Sequence, residues 1–202
     1  MRTDELQVTP MSKIVLMMNI SLDGYIEGPD HDISWHRVDE EMHQHFNGVV
    51  RQYDALLSGR RTYELMAGYW PTADADPNIT PVGAEFARIW RGIPKVVYSR
   101  TLQWADWNAT VVRDVVPEEV RALKERSLGD LGLGGARLAG EFLRLGLVDE
   151  YRIYVHPVIV GHGTRLFPQA DLSASLHLLD SRSFGNGVEF LHYAPNSGRR
   201  AA

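Results

Sequence analysis

Short apolar runs alternating with helical patterns predict an α/β protein. The expected form is a three-layer α/β/α sandwich, its central sheet mostly parallel and its C-terminal edge an antiparallel hairpin. Three observations carry this. Residues 13–20 (KIVLMMNI) form a nearly continuous apolar run, the pattern of a strand buried on both faces of a parallel sheet. Strand-like runs then alternate with helix-period segments as far as Leu145. Two last strand-like runs, residues 175–180 and 188–193, flank Gly185-Asn186-Gly187, a hairpin signal.

In chain order, residues 1–11 are expected to be a disordered extension. Residues 22–26 read as a turn and a short extended piece. Val38, Met42, Phe46, Val49 and Tyr53 recur every three or four positions, the period of an amphipathic helix. Residues 55–58 are a short buried strand. Residues 61–67 are a short helix, stopped by Gly68 in the left-handed conformation. Pro71, Pro77 and Pro81, with Asp and Asn between them, predict a surface loop over 71–81. A helix follows over 82–90, then strands over 95–99 and 110–113. Pro117-Glu118-Glu119 opens another helix, with proline at its first position and acids in its first turn. Residues 130–133 are a strand and 136–145 a helix, with Gly146 just beyond. Residues 151–160 are β-rich but broken by Pro157. A single domain is thus expected over 12–195, with a disordered tail over 196–202.

The chain of 202 residues is long enough to bury one stable core. Its net charge of −5 argues against nucleic-acid or membrane-surface partners, which usually need a basic excess. No apolar run approaches the roughly 20 residues of a membrane helix. The first ten residues are polar and acidic, so no signal peptide is expected and the cytoplasm is the expected compartment. Zero cysteines exclude disulfides, thiolate catalysis and Cys-ligated metal. His31, His36, His43 and His45 cluster in sequence, but His43 and His45 diverge on a helix and no i, i+4 pair accompanies them, so no metal site is expected.

Two strand-to-helix turns carry the chemical signal. One is Leu131-Gly132-Leu133-Gly134-Gly135-Ala136-Arg137, the other Leu56-Leu57-Ser58-Gly59-Arg60-Arg61-Thr62. Each places backbone N–H groups and an arginine where a strand hands over to a helix, which is how proteins hold phosphate. The plainer reading is a tight turn with solvated arginines. Against it, cations at a helix start oppose the macrodipole unless an anion is near. Ser99-Arg100 is a third such strand end, and ligands of open α/β sheets bind at the carboxyl ends of strands. A phosphorylated dinucleotide fits three such ends. The spacing is not the Rossmann fingerprint, because Arg137 stands where its third glycine belongs. No G-x-S-x-G elbow is present. Asp23, Asp30, Asp32, Glu40 and Glu41 are candidate proton donors, although Glu40-Glu41 also suits the first turn of a helix.

At these residues the chain resembles the reductase domain of bacterial riboflavin biosynthesis, within the dihydrofolate-reductase-like superfamily, as a stand-alone member. The likeness spans about residues 13–168. It rests on Ser21-Leu22-Asp23-Gly24-Tyr25-Ile26, Leu57-Ser58-Gly59-Arg60-Arg61-Thr62-Tyr63-Glu64 and Tyr69-Trp70-Pro71. It continues through Lys95-Val96-Val97-Tyr98-Ser99-Arg100, Gly134-Gly135, Gly146-Leu147-Val148-Asp149-Glu150 and Val155-His156-Pro157.

The resemblance implies a dihydrofolate-reductase-like fold, NADPH as cofactor and hydride transfer. Gly59, Arg60, Arg61 and Thr62 would bind the adenosine phosphates. Ser99 and Arg100 would hold the 2′-phosphate. Gly134, Gly135, Ala136 and Arg137 would cradle the pyrophosphate, with a cis Gly134–Gly135 bond. Asn19 and Ile26 would lie along the nicotinamide. A loop from Asp23 to Trp35 would cover the ring, both residues contributing to the substrate pocket; its Gly24, Gly28 and Pro29 separately suggest a mobile lid. Glu40 or Glu41, or an ordered water, would deliver the proton. A homodimer is also implied. The zinc-binding deaminase that usually accompanies such reductases needs Cys ligands, which these 202 residues lack, so no deamination is expected of them. The expected reaction reduces a C=N or C=O of a small heterocycle, as in the reductase acting on 5-amino-6-(5-phosphoribosylamino)uracil. Dihydrofolate reduction, and NADPH binding without turnover, are the alternatives.

Overall fold

A computed structural model describes residues 11–167 and 173–196. The strands are β1 (Ile14–Ser21), β2 (Tyr25–Glu27), β3 (Tyr53–Gly59), β4 (Lys95–Tyr98), β5 (Ala109–Val112), β6 (Asp130–Gly134), β7 (Glu150–His156), β8 (Thr164–Arg165), β9 (Leu176–Ser183) and β10 (Glu189–Pro195). The helices are α1 (Glu40–Val50), α2 (Arg60–Ala67), α3 (Pro81–Gly92), α4 (Pro117–Arg126) and α5 (Ala136–Arg144). Eight strands build the central sheet in the order β5-β4-β3-β6-β1-β7-β10-β9. All neighbours from β5 to β7 are parallel, and β10 and β9 close the edge antiparallel. This is the α/β architecture that the alternating pattern predicts. The expected extension and tail lie outside the described residues except for Met11 and Asn196.

Burial of β1 on both faces explains its unbroken apolar run. Ile14 and Leu16 point to one side, where α5 supplies Leu138, Ala139 and Phe142 and α4 supplies Val120. Val15 points to the other, against Val49 and Val50 of α1 and Phe86 and Trp90 of α3. Side chains of this size contribute about 1.5–3 kcal/mol each when fully buried. A third cluster joins Met42 and Phe46 of α1 to Tyr154, Phe184 and Phe190 under the C-terminal hairpin.

Capping sets where the helices start. The Asp39 carboxylate accepts from the Met42 N–H at 2.9 Å, so α1 begins after Val38, which stays exposed. Thr80 caps α3 in the same way through the Gly83 N–H. Two expectations are corrected. Gly68 is right-handed (φ −75, ψ −15) rather than left-handed, because the chain runs on almost directly into a 3₁₀ turn over Trp70–Ala75. That turn replaces much of the expected surface loop, and its Pro71 and Ala73 are buried. Arg91 of α3 fixes it, donating to the Pro71 carbonyl at 2.9 Å and gripping both Asp74 oxygens at 2.8 and 2.6 Å. The small β2–β8 sheet, not predicted, has strands too short to show a period.

One corner rests on a buried ammonium. Lys95 is 3% exposed and donates to the carbonyls of Trp90, Ile93 and Trp107, the last two at 2.8 Å. It lies 4.1 Å from the centre of the Trp90 ring. Burial pushes its pKa down to about 8. These carbonyls include the negative end of α3, which a cation favours. Lys95→Met leaves them without a donor, and urea denaturation should show a loss of about 3 kcal/mol at unchanged m-value. A loss below roughly 0.5 kcal/mol would mean that the ammonium does not hold this corner.

Candidate functional site

The site begins with strand register. Ser58 of β3 pairs with Gly134 of β6, and Gly59 pairs with Tyr98 of β4, so three carboxyl ends finish level. From two of them a helix starts at once: α2 after Gly59 and α5 after Gly135. Neither helix has a side-chain cap, so the N–H groups of both first turns are left for another acceptor. The turns touch each other. Gly135 has φ +89 and ψ 124, a conformation closed to residues with a Cβ. A Cβ there would stand 2.5 Å from Thr62 Oγ1. The expected cis Gly134–Gly135 bond is corrected: no cis bond occurs among the described residues, and the positive φ of Gly135 makes the turn instead.

A cavity of about 1050 Å³ opens over these strand ends. Ile26, Gly59, Arg60, Arg61, Thr62, Ser99, Arg100, Gly135, Ala136 and Arg137 all line it. Gly134 ends β6 and is not in its wall. Asn19, Asp23, Trp35, Glu40 and Glu41 are not in its wall. Arg113, Glu27, His31 and His36 also line it, beyond the residues the sequence points to. Arg113 follows β5 directly, the same strand-end pattern as Ser99-Arg100, so its signal was present. It donates to the Ser99 and Leu102 carbonyls at 2.9 and 2.6 Å. In sequence, His31 and His36 suggest only metal ligands. Among the described residues no three His, Asp or Glu converge as a metal site would require.

The cavity arginines are held loosely. Arg60 pairs with Glu64 at 2.7 Å and donates to Thr101 at 3.0 Å. Arg100 pairs with Asp114 at 2.5 Å, although its side chain is 81% exposed. Arg61 donates to His31 Nε2 at 2.5 Å and lies 4.0 Å from Glu27. Pairs this exposed are worth at most about 1 kcal/mol, so an incoming polyanion can take the guanidinium groups over. Burial opposes ionisation of Glu27, but bonds from Thr164 and His31 and the nearby Arg61 outweigh it and keep the carboxyl below its ordinary pKa.

The apolar end of the cavity is organised by His156, which is fully buried. Its Nδ1 accepts from the Arg37 backbone N–H at 3.0 Å, so the proton must reside on Nε2, which donates to Asn19 Oδ1 at 2.9 Å. Burial, with help from His36 and Arg37, pushes its pKa down to about 4. The His36 ring stacks on it at 5.2 Å, and Trp35 stands edge-on to both rings at 4.3 and 5.6 Å. His36 Nε2 is buried without a partner. An unmet polar atom of this kind costs about 1–3 kcal/mol.

The remaining candidates hold backbone. Asp23 accepts from Ser21 Oγ at 2.7 Å and from the Val160 and Gly161 N–H groups at 3.1 and 2.8 Å. The Ser21 bond and then the backbone bonds lower its pKa to about 2. Trp35 donates to the Asp32 carbonyl at 3.1 Å. Glu41 faces the C-terminal hairpin, accepting from Gly185 N at 3.2 Å and pairing with Arg182 at 2.5 Å. Glu40 is exposed at the start of α1.

Residues 12–190 match a family described as the RibD C-terminal domain. A curated relative, the uncharacterized protein YyaP of Bacillus subtilis, is 35% identical over 182 residues, covering 90% of this chain and 94% of that one. A putative riboflavin biosynthesis protein from Shewanella sp. PV-4 superposes with a TM-score of 0.70 at 20% identity, over 92% of this chain and 99% of the other. Dihydrofolate reductase from Enterococcus faecalis, solved with NADP(H), gives 0.63 at 16% identity, over 92% and 97%. The fold is therefore dihydrofolate-reductase-like.

Two outcomes follow from this geometry. Gly135→Ala should cost about 1–3 kcal/mol in backbone strain plus the collision with Thr62. Adding Thr62→Ala should recover only the collision, and full recovery would show that the φ is not constrained. His156 also sets an acid limb. The unfolded chain takes up its proton near 6.5 but the folded chain only near 4, so stability falls as pH drops through that window. The limiting slope is about 1.4 kcal/mol per pH unit for one such histidine. His36, His43 and His45, also lowered by burial, act in the same direction. Urea midpoints that stay flat from pH 7 to pH 4.5 would contradict this.

Proposed function

This chain belongs to the RibD C-terminal domain family, and we propose that it is an NADPH-dependent oxidoreductase acting on a small heterocyclic substrate. The observation that carries the reading is the meeting of two uncapped helix starts at Gly135 and Thr62, beneath a cavity edged by arginines. A close approach that excludes any Cβ leaves the backbone bare where a pyrophosphate would lie.

The residues divide the work along the cavity. Gly59, Arg60, Arg61 and Thr62 on one side, and Gly134, Gly135, Ala136 and Arg137 on the other, would hold the phosphates. Ser99 Oγ accepts from the Thr101 and Leu102 N–H groups, so its hydroxyl proton is free to donate to a 2′-phosphate beside Arg100. Ile26, with Met18 and Ile33, offers an apolar wall for the ring, and Asn19 positions His156 behind it. When bound, the nicotinamide supplies the hydride, which would reach a C=N or C=O of the substrate. The protein's contribution is alignment and exclusion of water. Because Arg182 and Gly185 hold Glu41, we assign proton delivery to an ordered water, with Glu40 the remaining carboxylate candidate.

The substrate class we favour is a pyrimidine like 5-amino-6-(5-phosphoribosylamino)uracil, with dihydrofolate the competing ring. The engaged state of Glu41 also favours a second reading, in which NADPH is bound without turnover. No described helix is long and apolar enough to cross a membrane; we place the protein in the cytoplasm. We further propose a homodimer. All eight residues of β9 are exposed, Leu178 by 52% and Leu179 by 45%, which offers an edge for a second copy.

Calorimetric titration should show NADPH binding well ahead of NADH. Arg100→Ala should weaken NADPH by at least about tenfold and NADH far less, since Asp114 is then left unpaired beside the 2′-phosphate. Equal losses for both would remove Arg100 from that role. NADPH consumption with the pyrimidine and with dihydrofolate then separates the substrates, and tight binding without consumption favours the second reading.

A further inference from the structure

His36 carries a polar atom that no described residue satisfies. Its Nε2 is shielded from water and has no hydrogen-bond partner. Asn47 Oδ1 shares that condition among the described residues, but its side chain bonds to Val82 and Glu85 between α1 and α3. His36 instead belongs to the wall of the cavity, next to Met18, Ile26 and Ile33. The residue as a whole is only partly buried.

The ring is held in place by neighbours that are themselves fixed. It stacks on His156 at 5.2 Å, and His156 cannot turn because Arg37 and Asn19 occupy both of its nitrogens. Trp35 stands edge-on to both rings, 4.3 Å from His36 and 5.6 Å from His156. An apolar pocket end with one fixed, unmet polar atom selects a flat ligand with a polar edge. Burial outweighs a bond to the Ile26 backbone and the nearby Asp32 and keeps the imidazole neutral, so Nε2 can bond without carrying charge into the pocket.

We propose that His36 Nε2 makes a positioning hydrogen bond to the amide edge of a planar heterocycle seated against Met18, Ile26 and Ile33. This rests on the cofactor reading above. The amide edge can come from the carboxamide of a nicotinamide or from the ring imide of a pyrimidine. His36 is a positioning residue in either case, and it is not the source of the transferred proton.

The test compares NADP⁺, 2′-phospho-ADP-ribose (which lacks the nicotinamide) and 5,6-diaminouracil added to NADP⁺-saturated protein, all by calorimetry. His36→Phe keeps a ring for stacking and removes the nitrogens; His36→Gln returns a polar atom at similar reach. His36→Phe should weaken NADP⁺ or diaminouracil about tenfold, with most of the loss recovered in His36→Gln. Binding of 2′-phospho-ADP-ribose should stay within about twofold. A loss confined to NADP⁺ assigns the carboxamide, and one confined to diaminouracil assigns the pyrimidine. His36→Leu, put through the same titrations, guards against misfolding of the Phe variant. Unchanged affinities for both heterocycles, or an equal loss that includes 2′-phospho-ADP-ribose, overturn the contact while leaving the cofactor reading intact. Failure of the unaltered protein to bind either nucleotide overturns both.

Discussion

The level ending of three parallel strands is the constraint from which the rest of the site follows. Hydrogen bonding sets Ser58 opposite Gly134 and Gly59 opposite Tyr98, and no local choice of residue can undo that register without turning apolar side chains to water. Two helices must then begin side by side. Their first turns come so close that Thr62 fills the space a Cβ on Gly135 would need. The sheet is thus the ruler that sets the cradle, and the glycine is the concession that lets it close.

Charge and neutrality are kept apart along the cavity. One end holds arginines in exposed, exchangeable pairs with Glu64, Asp114, His31 and Glu27. The other holds histidines that burial keeps neutral, tied to backbone through Arg37 and to β1 through Asn19. An anion is welcomed at the first end because weak partners are easily replaced. A flat neutral ring suits the second because no charge there would have to be desolvated. The two ends separate along the sheet, since the arginines follow β3, β4 and β5 while Asn19 and His156 lie on β1 and β7.

Most of the fold was legible because local pattern and burial agree. KIVLMMNI reads as a doubly buried strand and is one, and Pro117 with its following acids marks the start of α4. The corrected stretch over 68–75 has one cause: contacts between distant residues that leave no local trace. Arg91 converts a proline-rich stretch into an ordered 3₁₀ turn from twenty residues away in sequence. The right-handed Gly68 follows from that turn rather than from its own type. In the site, the glycine and arginine turns were readable since their chemistry is local. His36 was not, because its unmet nitrogen has meaning only once His156, Trp35 and Ile26 surround it. Glu41 looked available in sequence and is drawn off by Arg182, a residue of the far hairpin.

The central place of β1 has a consequence for how the protein is made. β1 pairs with β6 and β7, whose residues leave the ribosome more than a hundred positions after its own. At ordinary translation speeds its apolar segment waits on the order of ten seconds for partners. Such distant pairing also makes for slow refolding, since the loop must close before any contact rewards it. A segment buried on both faces in the finished molecule is therefore open to misassociation during synthesis. Growth temperature and chaperone supply would then govern its yield more than the stability of the native state.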